Sequence, residues 1–315
     1  MENRAAWITE AKAKPFKVDA APYPTAGPGE IIVKNFAVAL NHIDWKIQDF
    51  GIIIQKYPNI LGLDVTGVVV EVGPGVTRFE KGQRIVATSP SFKTGNPAHG
   101  GFQLYTAVLE DLALPVPDSM AFEQSAVLPT SVTTAASGLY NEDKLGLPLP
   151  SENPKPAGKT ILVWGGSSAV GSMAVQLAAA SGVKAIAIAS TRNHALVRAL
   201  GASTVIDYKS PDVVDEIVAA INDGSKDFAG VFDAISEPDS YEKLTHQVFA
   251  IDILLEKNAH VQQEVWTKFL PDALASGQIK VFPEPSVVGE GLESIQEGLE
   301  KLKAGVSAQK LVVKL

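Results

Sequence analysis

The 315-residue chain contains no cysteine. That excludes disulfides, thiolate zinc sites, iron–sulfur clusters and a thiol nucleophile. It also has no long apolar run: every such stretch is broken by Gly, Ser or a charge well short of the ~20 residues that cross a bilayer. Residues 1–10 carry no apolar core of the secretory type, so the expectation is a soluble, cytoplasmic protein without a membrane partner. Basic tracts are missing as well. Lys plus Arg number 27 against 35 Asp plus Glu, for a net charge of -8, which argues against a nucleic-acid partner. What is present is 46% hydrophobic residues, enough for two cores at roughly 100–200 residues per domain.

The chain changes texture along its length. The first third is β-rich, with short strands expected at Glu30–Lys34, Phe36–Leu40, Val65–Val72, Arg84–Ala87 and Leu104–Val108, punctuated by Gly and Pro. Ala126–Leu139 reads as a helix, and four prolines between Leu147 and Pro156 mark a loop. Strand and helix then alternate. Strands are expected at Thr160–Trp164, Lys184–Ala189, Thr204–Asp207 and Gly230–Ala234, with helices at Val170–Ala180, Asn193–Leu200 and Pro211–Ile221. This alternation predicts an α/β doubly wound parallel sheet. A mixed tail follows: helix at Val265–Ala275, strand at Lys280–Phe282, helix at Leu292–Lys303 and a last strand at Leu311–Leu315.

The strand ending at Trp164 runs into Gly165-Gly166-Ser167-Ser168-Ala169-Val170-Gly171 and then a helix. Gly166 permits a tight turn, the small Ser168 lets backbone approach a pyrophosphate, and Gly171 allows close helix–strand packing. The helix start supplies free N–H groups and the positive end of its dipole. Gly166 to Val170 are therefore the expected phosphate cradle of a dinucleotide. The second strand of such a unit offers an Asp or Glu to the 2′-hydroxyl of NAD. Here it ends in Ala189-Ser190-Thr191-Arg192, with no acid. Ser190 and Arg192 suit a 2′-phosphate instead, and the expected cofactor is NADP(H).

Several further segments carry a family resemblance. They are Gly29–Lys34, Gly62–Gly67 with Val69–Gly73, Gly82–Ile85, Leu200–Ala202, Val205–Tyr208 and Val231–Ala234. Together they resemble the medium-chain dehydrogenase/reductase superfamily over nearly the whole chain. Asn41–Lys46, Leu128–Ala135 and Ser307–Val313 look closest to its zinc-free, quinone-oxidoreductase-like branch, which includes fungal trans-acting enoyl reductases. The resemblance implies a GroES-like β-barrel domain over residues 1–128 and 269–315, and a Rossmann domain over 129–268. It also implies roles. Lys46 faces the active site, and Thr133 and Thr134 sit at a helix start near cofactor and substrate. Ile43 and Asp44 lie by the nicotinamide ribose, Tyr208 touches the 2′-phosphate end, and Phe249 and Leu311 complete the cofactor contacts.

Relatives that hold a catalytic zinc do so with Cys and with the His of a Gly-His-Glu motif. This chain has Asn41 near the first position and Leu63 in place of that His, so no metal is expected. The implied chemistry is reduction of an activated C=C bond or a quinone, with Lys46 and Thr133 as catalytic candidates and Ile52, Ile53 and Phe92 as pocket walls. No Tyr stands in Gln48–Ile52 to donate the proton, which leaves water. The family places a further strand between the segments around Leu244 and Val248; this chain is short there. That shortening keeps open the alternative of an NADP(H)-binding sensor, scaffold or crystallin-like protein. The expected partners are a small molecule (an enone, quinone or enoyl thioester) and, for oligomeric state, a monomer or homodimer.

Overall fold

The computed structural model describes residues 2–224, 227–235 and 255–315. The chain forms two compact units, Met1–Thr130 with Glu284–Leu315, and Ser131–Pro283. In chain order the strands are β1 (Asn3–Ile8), β2 (Lys17–Ala21), β3 (Glu30–Ala39), β4 (Asn59–Ile60), β5 (Asp64–Val72), β6 (Arg84–Thr88), β7 (Tyr105–Leu109), β8 (Ala113–Pro115), β9 (Lys159–Trp164), β10 (Lys184–Ile188), β11 (Thr204–Ile206), β12 (Asp227–Asp233), β13 (Pro285–Glu290) and β14 (Lys310–Lys314).

In the first unit one sheet runs β13-β14-β3-β5-β6-β8 with β7 also on β3, and a second runs β2-β1-β4. Apolar side chains of these strands, among them Ile31, Val33, Val65, Val69, Ile85 and Leu311, form one buried core. The two strands expected at Glu30–Lys34 and Phe36–Leu40 are a single strand. Asn35, read as a break, sits at a β-bulge where the register on β5 shifts. Its side chain is buried, and its Nδ2 donates to the Gln103 carbonyl at 2.7 Å and to Thr106 Oγ1 at 2.8 Å. The helices of this unit are α1 (His42–Phe50), α2 (Ser91–Thr94), α3 (Phe122–Ser125) and the late helix Ser294–Lys303, and α4 (Leu128–Tyr140) begins here.

The second unit carries the parallel sheet β11-β10-β9-β12 among the described residues. Its helices α5 (Ala169–Ala180), α6 (His194–Ala199) and α7 (Val213–Gly224) follow β9, β10 and β11. Leu162, Ile186, Ile188 and Ile206 point to one face, where Val213 and Ile217 of α7 cover them. The sheet is the doubly wound type that the strand–helix alternation predicts. Lys280–Phe282 is not a strand; the strand of that region is β13, a few residues later. Residues 269–283 belong to the second unit rather than to the returning barrel segment. Gln176 of α5 explains this, because its side chain bonds both the N–H (2.7 Å) and the carbonyl (3.1 Å) of Lys280. The junction at Leu244–Val248 and the site residue Phe249 lie outside the described residues. Among the described residues no helix is long and apolar enough to cross a membrane.

Candidate functional site

β9 ends in a turn that only small residues permit. Gly165 has φ +78°, and the N–H groups of Gly165 and Gly166 both reach the Ile188 carbonyl, at 3.1 and 2.9 Å. A Cβ on Gly171 would lie 2.2 Å from the Gly165 carbonyl oxygen, so the first turn of α5 rests directly on the loop. Ser168 is the N-cap, its Oγ accepting the Gly171 N–H at 3.0 Å. Ala169 and Val170 are left with N–H groups that have no intrahelical acceptor. These residues fit a dinucleotide: open backbone donors, a helix dipole and no side chain in the way.

At the end of β10 the chain makes a 3-10 turn, Thr191–Asn193. Ser190 Oγ lies 3.4 Å from the Tyr208 hydroxyl, so two of the expected ribose-end residues stand together, and Arg192 sits in the same turn. Two neighbours escaped sequence reasoning. Asp207 binds the N–H and hydroxyl of Thr191, and these bonds hold its carboxyl below the usual range. Asn193 Nδ2 donates to Ser167 Oγ at 3.1 Å, linking this turn to the glycine turn. A carboxylate at the end of β11 leaves no signal in the motif that ends β10.

In the first unit α1 carries Ile43, Asp44 and Lys46. Lys46 Nζ lies 5.7 Å from the centre of the Trp45 ring and has no ion-pair partner among the described residues. Beneath α1 is a buried polar cluster. Lys310 Nζ is 3.0 Å from Asp64 Oδ2 and 2.5 Å from Asn41 Oδ1, and Asn41 Nδ2 donates to Asp64 at 3.0 Å. Asp64 is fully buried, and its other oxygen takes the Thr130 N–H at 2.9 Å and hydroxyl at 2.5 Å. Asn41, which the resemblance puts near the first ligand position of zinc-holding relatives, is thus bonded to an ammonium. A second cation beside Asn41 would be repelled by Lys310, so these residues do not fit a zinc ion. Among the described residues no group of three or more His, Cys, Asp or Glu side chains could hold a metal.

Asp44 accepts the Asn41 N–H at 2.8 Å, yet burial, reinforced by nearby Asp64, pushes its carboxyl up to about 7. His42 is pushed down to about 4, first by desolvation and then by Lys310 and Lys46. The two act oppositely on stability. Between pH 4 and 7 the folded chain holds the Asp44 proton that the unfolded chain has lost, so this group makes stability fall as pH rises. Over pH 4 to 6.5 the unfolded chain holds the His42 proton that the folded chain lacks, so this group makes stability rise. His42 keeps an exposed outer face, which weakens its share relative to fully buried Asp44. The expected net result is a shallow fall from pH 4.5 to 7. Asp44→Asn should turn that slope positive, as read by urea midpoints at the two pH values. An unchanged slope would refute the assignment.

Thr133 and Thr134 lie in the second turn of α4, not at its start; the helix start is held by Thr130 on Asp64. Thr133 is buried and Thr134 half-buried. Leu311 is a core residue of the barrel, and its carbonyl accepts the Leu40 N–H at 2.9 Å. Ile53 and Phe92 line a cavity of about 310 Å³, as the sequence implies, whereas Ile52 points to solvent beside it.

Comparison with known proteins agrees with this geometry. Residues 27–118 match the model "Alcohol dehydrogenase GroES-like domain", and residues 169–248 match "Zinc-binding dehydrogenase". The chain is 41% identical over 353 positions to "Dehydrogenase orsE" of Emericella nidulans, covering 99% of both chains. It is 41% identical over 339 positions to "Trans-enoyl reductase himH" of Aspergillus japonicus, covering 99% of this chain and 97% of that protein. An alcohol dehydrogenase superfamily protein from Novosphingobium aromaticivorans has a similar structure, with TM-score 0.76, 25% identity and 99% of each chain covered. The first alignment has 353 positions against 315 residues here, so at least 38 positions of the relative have no counterpart. The chain is a shortened member in that sense. A GroES-like barrel, a parallel sheet with a glycine turn, and relatives of this similarity make the chain an oxidoreductase of the medium-chain dehydrogenase/reductase superfamily.

Proposed function

We propose that the chain is a zinc-independent, NADP(H)-dependent reductase of an activated C=C bond or a quinone, working in the cytoplasm. The observation that carries the cofactor reading is the turn after β10, which holds Ser190 and Arg192 with no acid of its own and has Tyr208 against Ser190; the neighbouring Asp207 carboxylate is taken up by Thr191. The reductase reading is supported by a 41%-identical relative named as a trans-enoyl reductase. Zinc independence is supported by Leu63 and by the ammonium bonded to Asn41. A bound nicotinamide cofactor supplies the hydride. The protein's own residues do the rest. The glycine turn and Ser168 hold the phosphates, with Ile43, Asp44 and Thr134 expected beside the cofactor. Lys46, which has no ion-pair partner among the described residues, is proposed to stabilise the negative charge that develops on a carbonyl oxygen, and Thr133 is expected to donate a hydrogen bond there. Such preorganised donors contribute several kcal/mol.

NADPH should bind more tightly than NADH in a fluorescence titration. Ser190→Asp should cut that preference about tenfold or more, since the new carboxylate repels a 2′-phosphate and a charge-assisted bond is lost. Equal binding of the two cofactors by the unaltered protein would sink the assignment. The 38-position shortfall favours one other reading, an NADP(H)-binding protein without turnover. NADPH oxidation with a panel of enones, enoyl thioesters and quinones separates the two.

A further inference from the structure

The acid that the turn after β10 lacks stands on the neighbouring strand. β10 and β11 run parallel with Ile188 opposite Ile206, and the Ala189 N–H donates to the Ile206 carbonyl at 3.0 Å. Just beyond, this register brings Asp207 and Tyr208 to the end of β10, where Tyr208 meets Ser190. Asp207 is fixed there by three bonds. Its Oδ2 accepts the Thr191 N–H at 3.3 Å and the Thr191 hydroxyl, and its Oδ1 accepts the Lys209 N–H at 2.9 Å. The bonds favour the ionised form, the Thr191 hydroxyl most of all. A fixed negative charge is thus bonded to the residue next to Ser190. Two cations belong to the same pair of turns: Arg192, and Lys209, whose Nζ lies 5.7 Å from the centre of the Tyr208 ring. A staple between two strand ends needs hydrogen bonds but no charge, since an Asn would offer Thr191 the same acceptor. The charge is what a 2′-phosphate would feel and a bare 2′-hydroxyl would not.

We propose that Asp207 is a specificity-determining residue: its carboxylate holds down the affinity for NADPH, and the Thr191 hydroxyl moderates that penalty. The inference rests on the reading of the turn after β10 as the ribose end of an NADP(H) site. It makes the preference a balance. Ser190, Arg192, Tyr208 and Lys209 draw the phosphate, and Asp207 opposes them. A phosphate monoester carries about -1.5 to -2 charges, so it meets the carboxylate as a like charge. NADH has no group at that position for Asp207 to repel. The Thr191 O–H and N–H dipoles both point their positive ends at the carboxylate, which spreads its charge and weakens the repulsion.

Dissociation constants of NADPH and NADH, read by fluorescence titration of the full chain, test this. Asp207→Asn keeps an acceptor for Thr191 and removes the charge. NADPH should bind this variant about three- to tenfold more tightly, and NADH should change by less than about twofold. Thr191→Val should weaken NADPH about two- to threefold, and added to Asp207→Asn it should change nothing further, because the hydroxyl acts through the carboxylate. Salt separates charge from structure. The Asp207→Asn gain at about 0.1 M salt, where the screening length is ~10 Å, should fall below about twofold at about 1 M, where it is ~3 Å. No gain, a gain that persists at high salt, or equal weakening of both cofactors with a lower thermal midpoint would overturn the inference and leave the contact a staple between strand ends. If the unaltered protein binds the two cofactors equally, the NADP(H) assignment fails, yet Asp207→Asn still decides here: a salt-sensitive gain for NADPH alone upholds the charge. Binding of neither cofactor by the unaltered protein would overturn both.

Discussion

Lys310→Met is expected to destabilise the protein by about 3–5 kcal/mol, the range found when one partner of a buried ion pair is removed. The reason is what remains behind. Asp64 is fully buried, and without the ammonium its charge keeps only the Asn41 amide and the two Thr130 donors. Adding Asp64→Asn to the Met variant should recover most of the loss, because a neutral amide needs no counter-charge. Urea denaturation of the single and double variants measures both steps. A loss under about 1 kcal/mol for the single change would show that the pair behaves like the exposed Arg4–Glu293 bridge, where so small a value is the norm.

Gly171→Ala should weaken NADP(H) binding about ten- to a hundredfold. The added Cβ would fall 2.2 Å from the Gly165 carbonyl oxygen and 3.1 Å from Ser168 Oγ, so the turn must open. Overpacking of this kind costs typically 1–3 kcal/mol, and affinity changes tenfold for every 1.4 kcal/mol. Fluorescence titration of NADPH reads the effect. Circular dichroism keeps it apart from unfolding. Unchanged affinity would mean that the cofactor does not use this turn.

The fold was legible where a pattern repeats locally. Strand–helix alternation after Thr160 and the glycine turn at Gly165–Gly171 follow from spacing alone, because each residue's requirement is met by its near neighbours. The Glu30–Ala39 strand reads as two from sequence, since a buried Asn in a strand looks like a break until its partners Gln103 and Thr106 are known. The site was legible in part for the same reason. Ser190 and Tyr208 meet across two adjacent parallel strands, a contact that the motif order implies. Asp64 with Lys310 joins residues far apart in the chain, and no single-sequence pattern connects them.

The last strand closes something opened early. Residues Ala37–Ala39 of β3 pair with β14, while the other half of that edge pairs with β7. During synthesis β7 and β8 are available as soon as residue 115 has emerged, but β14 follows only after the whole second unit. At ~5–20 residues per second the wait is on the order of ten to forty seconds. Throughout it, half an edge of the barrel sheet is unpaired and Asp64 lacks its ammonium. A nascent chain in that condition is an aggregation-prone intermediate and a substrate for chaperones.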